Sequence, residues 1–206
     1  MIVLRIIPPK AKGNIMKTTI ILAHPWHGSF NKAILDVVAK ALTDREKPYQ
    51  IIDLNKDGFN PVMTEKELSL FSKGSFSDPL VGNYQKMLLD TDELVVIFPI
   101  WWGDSPAILK GFIDKVMLKG FAYDHGATGL VGKLTHIKKA YVITTSETPT
   151  FVYKEHLGNP IDNVFLKIVL EGVGVKNNVW INKDTVLSSG QESRVDFLKQ
   201  ISKLIG

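Results

Sequence analysis

The chain has 206 residues, 45% apolar and 22% charged, a balance that supports a well-buried core of ordinary domain size and argues against disorder. Its 25 Lys and Arg against 21 Asp and Glu leave a formal charge of +4, a mild excess that suits anionic small ligands and gives no footprint for nucleic acid. Cysteine is absent, which removes disulfide frameworks, thiolate zinc sites and cysteine nucleophiles, so any redox chemistry has to rest on a bound cofactor.

Residues 1–15 fit poorly with the rest of the chain. They hold Arg5, Lys10, Lys12 and the break Pro8-Pro9, with no acid, and so supply most of the net charge. Met16 then opens MKTTIILAHP, which reads as a natural start running into a first strand. Residues 1–15 are therefore expected to be an N-terminal extension or arm, with an edge strand over Ile2–Ile7 as the alternative, and 16–206 a single domain. The MIVLRIIPP start makes a poor signal peptide, and no apolar run reaches the roughly 20 residues that span a bilayer. A cytoplasmic location without membrane insertion is expected.

Lys17–Ala23 is a β-branched apolar run that suits a buried parallel strand. Ile34, Val37, Val38, Ala41 and Leu42 then recur at helical spacing, which predicts a helix from Ser29 to Leu42. A second strand is expected over Tyr49–Leu54, a loop-rich crossover over 55–77 with a short helix at Glu65–Phe71, and a helix at Asp78–Leu89 with Asp78 as N-cap and Pro79 at its first position. Glu93–Pro99 reads as a third, fully buried strand. The next helix starts from Ser105-Pro106, with Ser105 as N-cap and Gly120 as its stop. Ala140–Thr145 is the fourth strand. Residues 161–171 are predicted helical with Ile161, Val164, Phe165, Ile168 and Val169 inward. Val175–Ile181 is the fifth strand, and Val195, Leu198 and Ile201 mark a closing helix.

Strands alternating with helical crossovers imply a parallel five-stranded sheet covered on both faces, in either the flavodoxin-like order 2-1-3-4-5 or a Rossmann-type order. In such sheets ligands bind at the carboxyl ends of the strands. Three loops there are unusual. In His24-Pro25-Trp26-His27-Gly28-Ser29-Phe30-Asn31, a hydroxyl and an amide stand at a helix start where backbone N–H groups and the dipole favour a phosphate, and Gly28 lets the backbone approach closely. A plain N-cap at Ser29 and a core histidine at His24 are the alternatives. In Pro99-Ile100-Trp101-Trp102-Gly103-Asp104-Ser105-Pro106, two tryptophans beside a sharp turn suit a flat aromatic ligand, or else pack in the core or a subunit interface. In Thr144-Thr145-Ser146-Glu147-Thr148-Pro149-Thr150, a cluster of hydroxyls and a carboxylate comes after a buried strand and suits a polar ligand edge. There is no G-x-G-x-x-G. GATGLVGK at Gly126–Lys133 fails as a phosphate loop, because Ala127 stands where the first glycine must be and Leu134 comes after the lysine.

These blocks, HPWHGSFN, FPIWWGDSPAILKGFIDKV, GFAY at Gly120–Tyr123 and TTS at Thr144–Ser146, resemble the NAD(P)H:quinone oxidoreductase family of the flavodoxin-like superfamily. The likeness covers about 17–182 and selects the flavodoxin-like order. It implies a flavin held at its phosphate region by His24, Gly28, Ser29, Phe30 and Asn31. Pro99, Ile100, Trp101, Trp102 and Gly103 would lie against the isoalloxazine, and Thr144, Thr145, Ser146 and Glu147 at the pyrimidine edge. Ser146-Glu147 stand where the family usually has two glycines. Tyr153 and His156 are the candidates for catalytic groups near flavin and substrate.

The resemblance also implies hydride transfer from NADPH or NADH to the flavin and then to a quinone-like acceptor in the same site, hence ping-pong kinetics, with N–H groups near Ser146 stabilising charge on the reduced ring. The compact Asp78–Glu93 stretch favours FMN over FAD. A homodimer is implied, and no metal site or nucleic-acid partner is expected. Two other functions stay open: a flavodoxin-type electron carrier, against which the lack of acidity counts, and an ancillary regulatory subunit of a potassium-efflux system, which would bring a membrane-transporter partner.

Overall fold

The computed structural model describes residues 16–205, so the expected arm at 1–15 lies outside the described residues. Strands β1 (Thr18–Leu22), β2 (Tyr49–Asp53), β3 (Glu93–Pro99), β6 (Lys139–Thr145) and β7 (Asn178–Lys183) form one parallel sheet in the order β2-β1-β3-β6-β7. Counted by sheet strands alone this is 2-1-3-4-5, the flavodoxin-like order.

Alternation along each strand divides the core. Ile20, Leu22, Val95, Ile97, Tyr141 and Ile143 face one side, under helices α1 (Phe30–Asp44) and α6 (Gln191–Ile205), where Ile34, Leu35, Val38, Phe197, Ile201 and Ile205 meet them. Ile21, Leu94, Val96, Phe98, Ala140 and Val142 face the other, under α3 (Pro79–Leu89), α4 (Ala107–Val116), α5 (Thr150–His156) and the helix Ile161–Leu170. A strand buried on both faces needs no polar alternation, which is why these strands read as continuous apolar runs.

The crossover from β2 carries α2 (Glu65–Phe71), started by a reciprocal capping box between Thr64 and Glu67. It is pinned to α4 by the buried Lys115 ammonium, which sits 2.9 Å from Glu67, 3.6 Å from Asp78 and donates to the Asn60 carbonyl at 2.7 Å. No helix among the described residues is long and apolar enough to cross a membrane.

The structure departs from the sequence reading in several places. A two-stranded antiparallel hairpin, β4 (Tyr123–His125) and β5 (Leu130–Gly132), fills the stretch that mimics a phosphate loop, so GATG is its turn. α4 begins at Ala107, with Pro106 as cap: Pro106 is extended (φ −58, ψ 150), and Ser105 gives its N–H to its neighbour Asp104 rather than capping the helix. β7 starts later than Val175 because the Val175 N–H closes the preceding helix onto the Leu170 carbonyl.

That helix, Ile161–Leu170, is a π-helix, with Glu171 N–H bonded five residues back to Leu166. Its wider turn, about 4.4 residues instead of roughly 3.6, rotates its faces. Ile161, Phe165, Leu166 and Leu170 are buried, and Val164 and Ile168, expected inward, are exposed. In the closing helix, Val195 is likewise exposed while Phe197 takes the core position.

Candidate functional site

The strand order reverses between β1 and β3, so the crevice above their carboxyl ends lies between the loops after Ala23 and Pro99, with the loop after Thr145 beside it. The loops are stitched to one another through the sheet. Ala23 N–H donates to Ile97 O at 3.0 Å, and Ile100 N–H donates to Thr145 O at 2.8 Å.

In the first loop, Ser29 caps α1 by accepting the Lys32 N–H at 3.2 Å. No acid stands in the first turn of α1, so its leading N–H groups and dipole present an uncompensated positive end. Gly28 lies under the exposed Trp26 ring, which a Cβ there, at 2.4 Å, would displace. His24 Nδ1 accepts the Trp26 N–H at 3.1 Å, which leaves the ring proton of the neutral imidazole on Nε2. Burial lowers the His24 pKa, and His27 nearby pushes the same way. His27 in turn reaches across to β2, with Nε2 2.8 Å from the buried Asp53 carboxylate.

Asn31 is buried on the first turn of α1. Its Nδ2 donates to Thr145 Oγ1 at 2.9 Å, and its Oδ1 is buried without a partner. An orphaned buried acceptor is costly, by about 1–3 kcal/mol, unless a ligand supplies the donor.

The second loop is a tight hairpin. Trp101 and Asp104 exchange backbone hydrogen bonds at 2.9 and 3.1 Å around Trp102 (φ +53) and Gly103 (φ +80). Two left-handed central residues make a type I′ turn, which favours Asn-Gly. Glycine meets that demand at 103. Tryptophan at 102 is strained by about 1–3 kcal/mol and its side chain is fully exposed. Trp101 is half-exposed, edge-on to His24 with ring centroids 6.4 Å apart. Pro99 and Ile100 are buried beneath the turn.

The third loop is closed by its own bonds. Thr144 Oγ1 donates to Asn182 Oδ1 at 2.8 Å and accepts from Trp180 Nε1 at 2.8 Å. Ser146 N–H donates to Lys183 O at 3.1 Å, so of the N–H groups expected near Ser146 to stabilise charge on the reduced ring, Ser146's own is taken by the sheet. The Glu147 carboxylate turns toward the segment after β7, accepting from Leu187 N–H and from Ser188 Oγ at 3.0 Å. Asp184 accepts the Thr150 N–H and Oγ1–H, both at 2.7 Å. Burial raises its pKa, but these bonds and the Lys183 charge outweigh it and hold the carboxyl below its ordinary value.

The structure thus brings the loops that carry His24, Gly28, Ser29, Phe30 and Asn31, then Pro99, Ile100, Trp101, Trp102 and Gly103, and then Thr145 together at the carboxyl ends of β1, β3 and β6, through the Asn31–Thr145, His24–Trp101 and Ile100–Thr145 contacts, with Thr144, Ser146 and Glu147 engaged in holding the third loop. Phe30 packs on Phe197 beneath the α1 terminus, centroids 6.1 Å apart. Tyr153 is buried in the larger core, and His156 is exposed at the end of α5 with its ring edge-on to Phe151. Asn182, Asp184 and Trp180 escape sequence reading, as does the pairing of His27 with Asp53. The visible signal for one of them is an amide in an otherwise apolar strand, VWIN. The acid-free helix end, the orphaned Asn31 oxygen and the bare tryptophan turn fit a flavin mononucleotide.

Comparison with known proteins agrees with this fold. A family model described as flavodoxin-like fold matches residues 16–204. The uncharacterized NAD(P)H oxidoreductase YcaK of Escherichia coli is 31% identical over 185 residues, covering 88% of this chain and 91% of that one. NAD(P)H dehydrogenase (quinone) 1 of Cavia porcellus is 30% identical, over 64% of this chain and 54% of its own, so this chain spans about half of that longer relative. The NAD(P)H:quinone oxidoreductase of Methanothermobacter marburgensis superposes with a TM-score of 0.81 at 26% identity, covering 93% of this chain and 98% of that one. The chain belongs to the flavodoxin-like fold family, among relatives named as NAD(P)H oxidoreductases and quinone reductases.

Proposed function

We propose that this chain is a flavin-dependent NAD(P)H oxidoreductase that uses FMN and passes two electrons to quinones or similar flat acceptors. The observation that carries the reading is Trp102, a fully exposed ring held in a strained left-handed turn beside the switch point of the sheet. Strain and exposure together have no structural benefit, and a flat ligand stacked there offsets both. The relatives' names supply the reaction class.

When bound, FMN supplies the hydride-accepting and hydride-donating chemistry. The residues do the rest. The α1 terminus with Ser29, Gly28 and the neutral His24 receives the phosphate end. Asn31 Oδ1 accepts from a hydroxyl of the ligand, while Nδ2 keeps Thr145 in place. The Trp101–Gly103 turn supports the ring, and the open crevice takes donor and acceptor in turn, which gives ping-pong kinetics. Tyr153 and His156 stand on α5, directly after the third loop, and His156, exposed, is the group able to exchange protons with an acceptor.

The site works in a homodimer in this reading. Phe151 and Leu157 of the α5 segment and Val164 and Ile168 of the π-helix are exposed apolar residues on two consecutive segments next to the third loop, and a second copy would cover them. Sedimentation of the wild type and of Ile168→Glu checks this: the wild type sediments as a dimer and the variant as a monomer, whereas a monomeric wild type contradicts it.

The test of the function is a visible spectrum of the purified protein, with NADH or NADPH then added with and without menadione. A flavin band that bleaches on donor addition and returns with menadione is expected. A flavin band that neither nucleotide bleaches defeats the reading.

A further inference from the structure

The third loop lacks the paired glycines of the family it resembles, and it is tied together instead by one half-buried amide, Asn182. Asn182 lies on β7 directly opposite Thr144 in the parallel register. Its Oδ1 accepts from Thr144 Oγ1 at 2.8 Å, and its Nδ2 donates to Ser146 Oγ at 2.9 Å and to Thr150 Oγ1 at 3.1 Å. Each hydroxyl proton is then committed: Thr144 Oγ1, having accepted from Trp180 Nε1, donates to Asn182. Ser146 Oγ donates to Thr148 O at 2.8 Å, and Thr150 Oγ1 donates to Asp184 at 2.7 Å.

The proton directions run one way, from Trp180 through Thr144 to Asn182 and out along two arms to Thr148 and Asp184. Turning the amide over would leave the Thr148 carbonyl and the Asp184 carboxylate without those hydroxyl donors, so the network admits one orientation of Asn182. Both Asn182 donors and its acceptor are used, and they grip the loop at its first, third and seventh residues, counting from Thr144.

We propose that Asn182 is a positioning residue for the pyrimidine edge of the flavin, an inference that rests on the flavin site proposed above. Ser146 N–H is spent on Lys183 O, so donors toward that edge begin at the next residues, Glu147 and Thr148. Those two lie between the Ser146 and Thr150 side chains that Asn182 holds. In the flavin site proposed above, their N–H groups would meet the charge that builds up on the reduced ring, and preorganised donors there would favour the reduced form. Asn182 thereby sets both the affinity for FMN and its potential without touching it.

The experiment compares wild type, Asn182→Leu and Thr19→Val by titration of the apoprotein with FMN, by the midpoint potential of the bound flavin and by thermal unfolding of the apoprotein. Thr19→Val removes a buried hydroxyl partnered to Thr91 at 2.5 Å at the opposite end of the sheet and serves as the stability control. Asn182→Leu is expected to weaken FMN binding about tenfold. It should also weaken the reduced form about tenfold more than the oxidised form, which lowers a two-electron potential by about 30 mV. Thr19→Val is expected to lower the unfolding temperature and leave both flavin readouts unchanged.

If Asn182→Leu fails to fold, Thr150→Val cuts one arm and is expected to shift the potential in the same direction. Wild-type affinity and potential in Asn182→Leu, or in Thr150→Val where that stands in, overturn the positioning role and leave the flavin site standing. A wild-type apoprotein that binds no FMN overturns both.

Discussion

Asn31 Nδ2 donates to Thr145 Oγ1 at 2.9 Å across 114 positions of sequence, and the same amide's Oδ1 is left buried and unpartnered beside the start of α1. One half of the side chain fastens the helix to the end of β6 while the other half awaits a donor. Asn31→Leu is therefore expected to weaken FMN binding by roughly 10-fold, the value of about one hydrogen bond in a buried site. Removing the orphaned oxygen also relieves the apoprotein, so its unfolding temperature should fall little or not at all. Fluorescence titration and a thermal melt read the two effects separately.

Trp102 makes a second trade between stability and ligand. Replacing it with Asn, the residue the type I′ turn favours, is expected to stabilise the apoprotein by about 1 kcal/mol and to weaken FMN binding. A thermal melt that moves down instead would contradict the assignment of strain to this turn.

The lowered pKa of His24 gives a pH dependence of defined sign. Burial disfavours the charged ring in the folded state, so protonation favours the unfolded chain. The stability contribution is whole above the ordinary value of 6.5 and is lost as pH falls through the lower folded-state value. Protonation of Nδ1 also removes the acceptor for Trp26 N–H, so the first loop loosens in the same window. His24→Gln is expected to flatten the loss of stability below pH 6.5, measured by denaturant unfolding at several pH values.

Lys115, in the last turn of α4, holds the crossover that carries α2. Its ammonium is buried between Glu67 and Asp78, and Lys115→Ala leaves the buried Glu67 without its counter-charge. A loss of about 3–5 kcal/mol in unfolding free energy is expected. FMN affinity of the folded fraction should stay as in the wild type.

Most of the sheet is legible in the sequence because buried parallel strands are continuous apolar runs, and β3 falls on ELVVIFP as expected. The π-helix is not, since a period of about 3.6 residues assigns Val164 and Ile168 inward and only the wider turn exposes them. The β4–β5 hairpin is hidden by its brevity. At the site, the residues of the three loops are legible because loop position at strand ends carries function. What each group is free to do is not: the destinations of Ser146 N–H and the Glu147 carboxylate depend on β7 and the segment after it, about 40 residues away in sequence. The hub role of Asn182 comes from its register opposite Thr144, which pairing alone determines.

The most direct test of the central claim is anaerobic titration of the purified, FMN-loaded protein with NADPH and, separately, NADH, before adding one equivalent of menadione. The account predicts that at least one nucleotide bleaches the flavin band at a stoichiometry of one per FMN and that menadione restores it in full. A flavin band that neither nucleotide bleaches, or a protein that takes up no FMN, would contradict it.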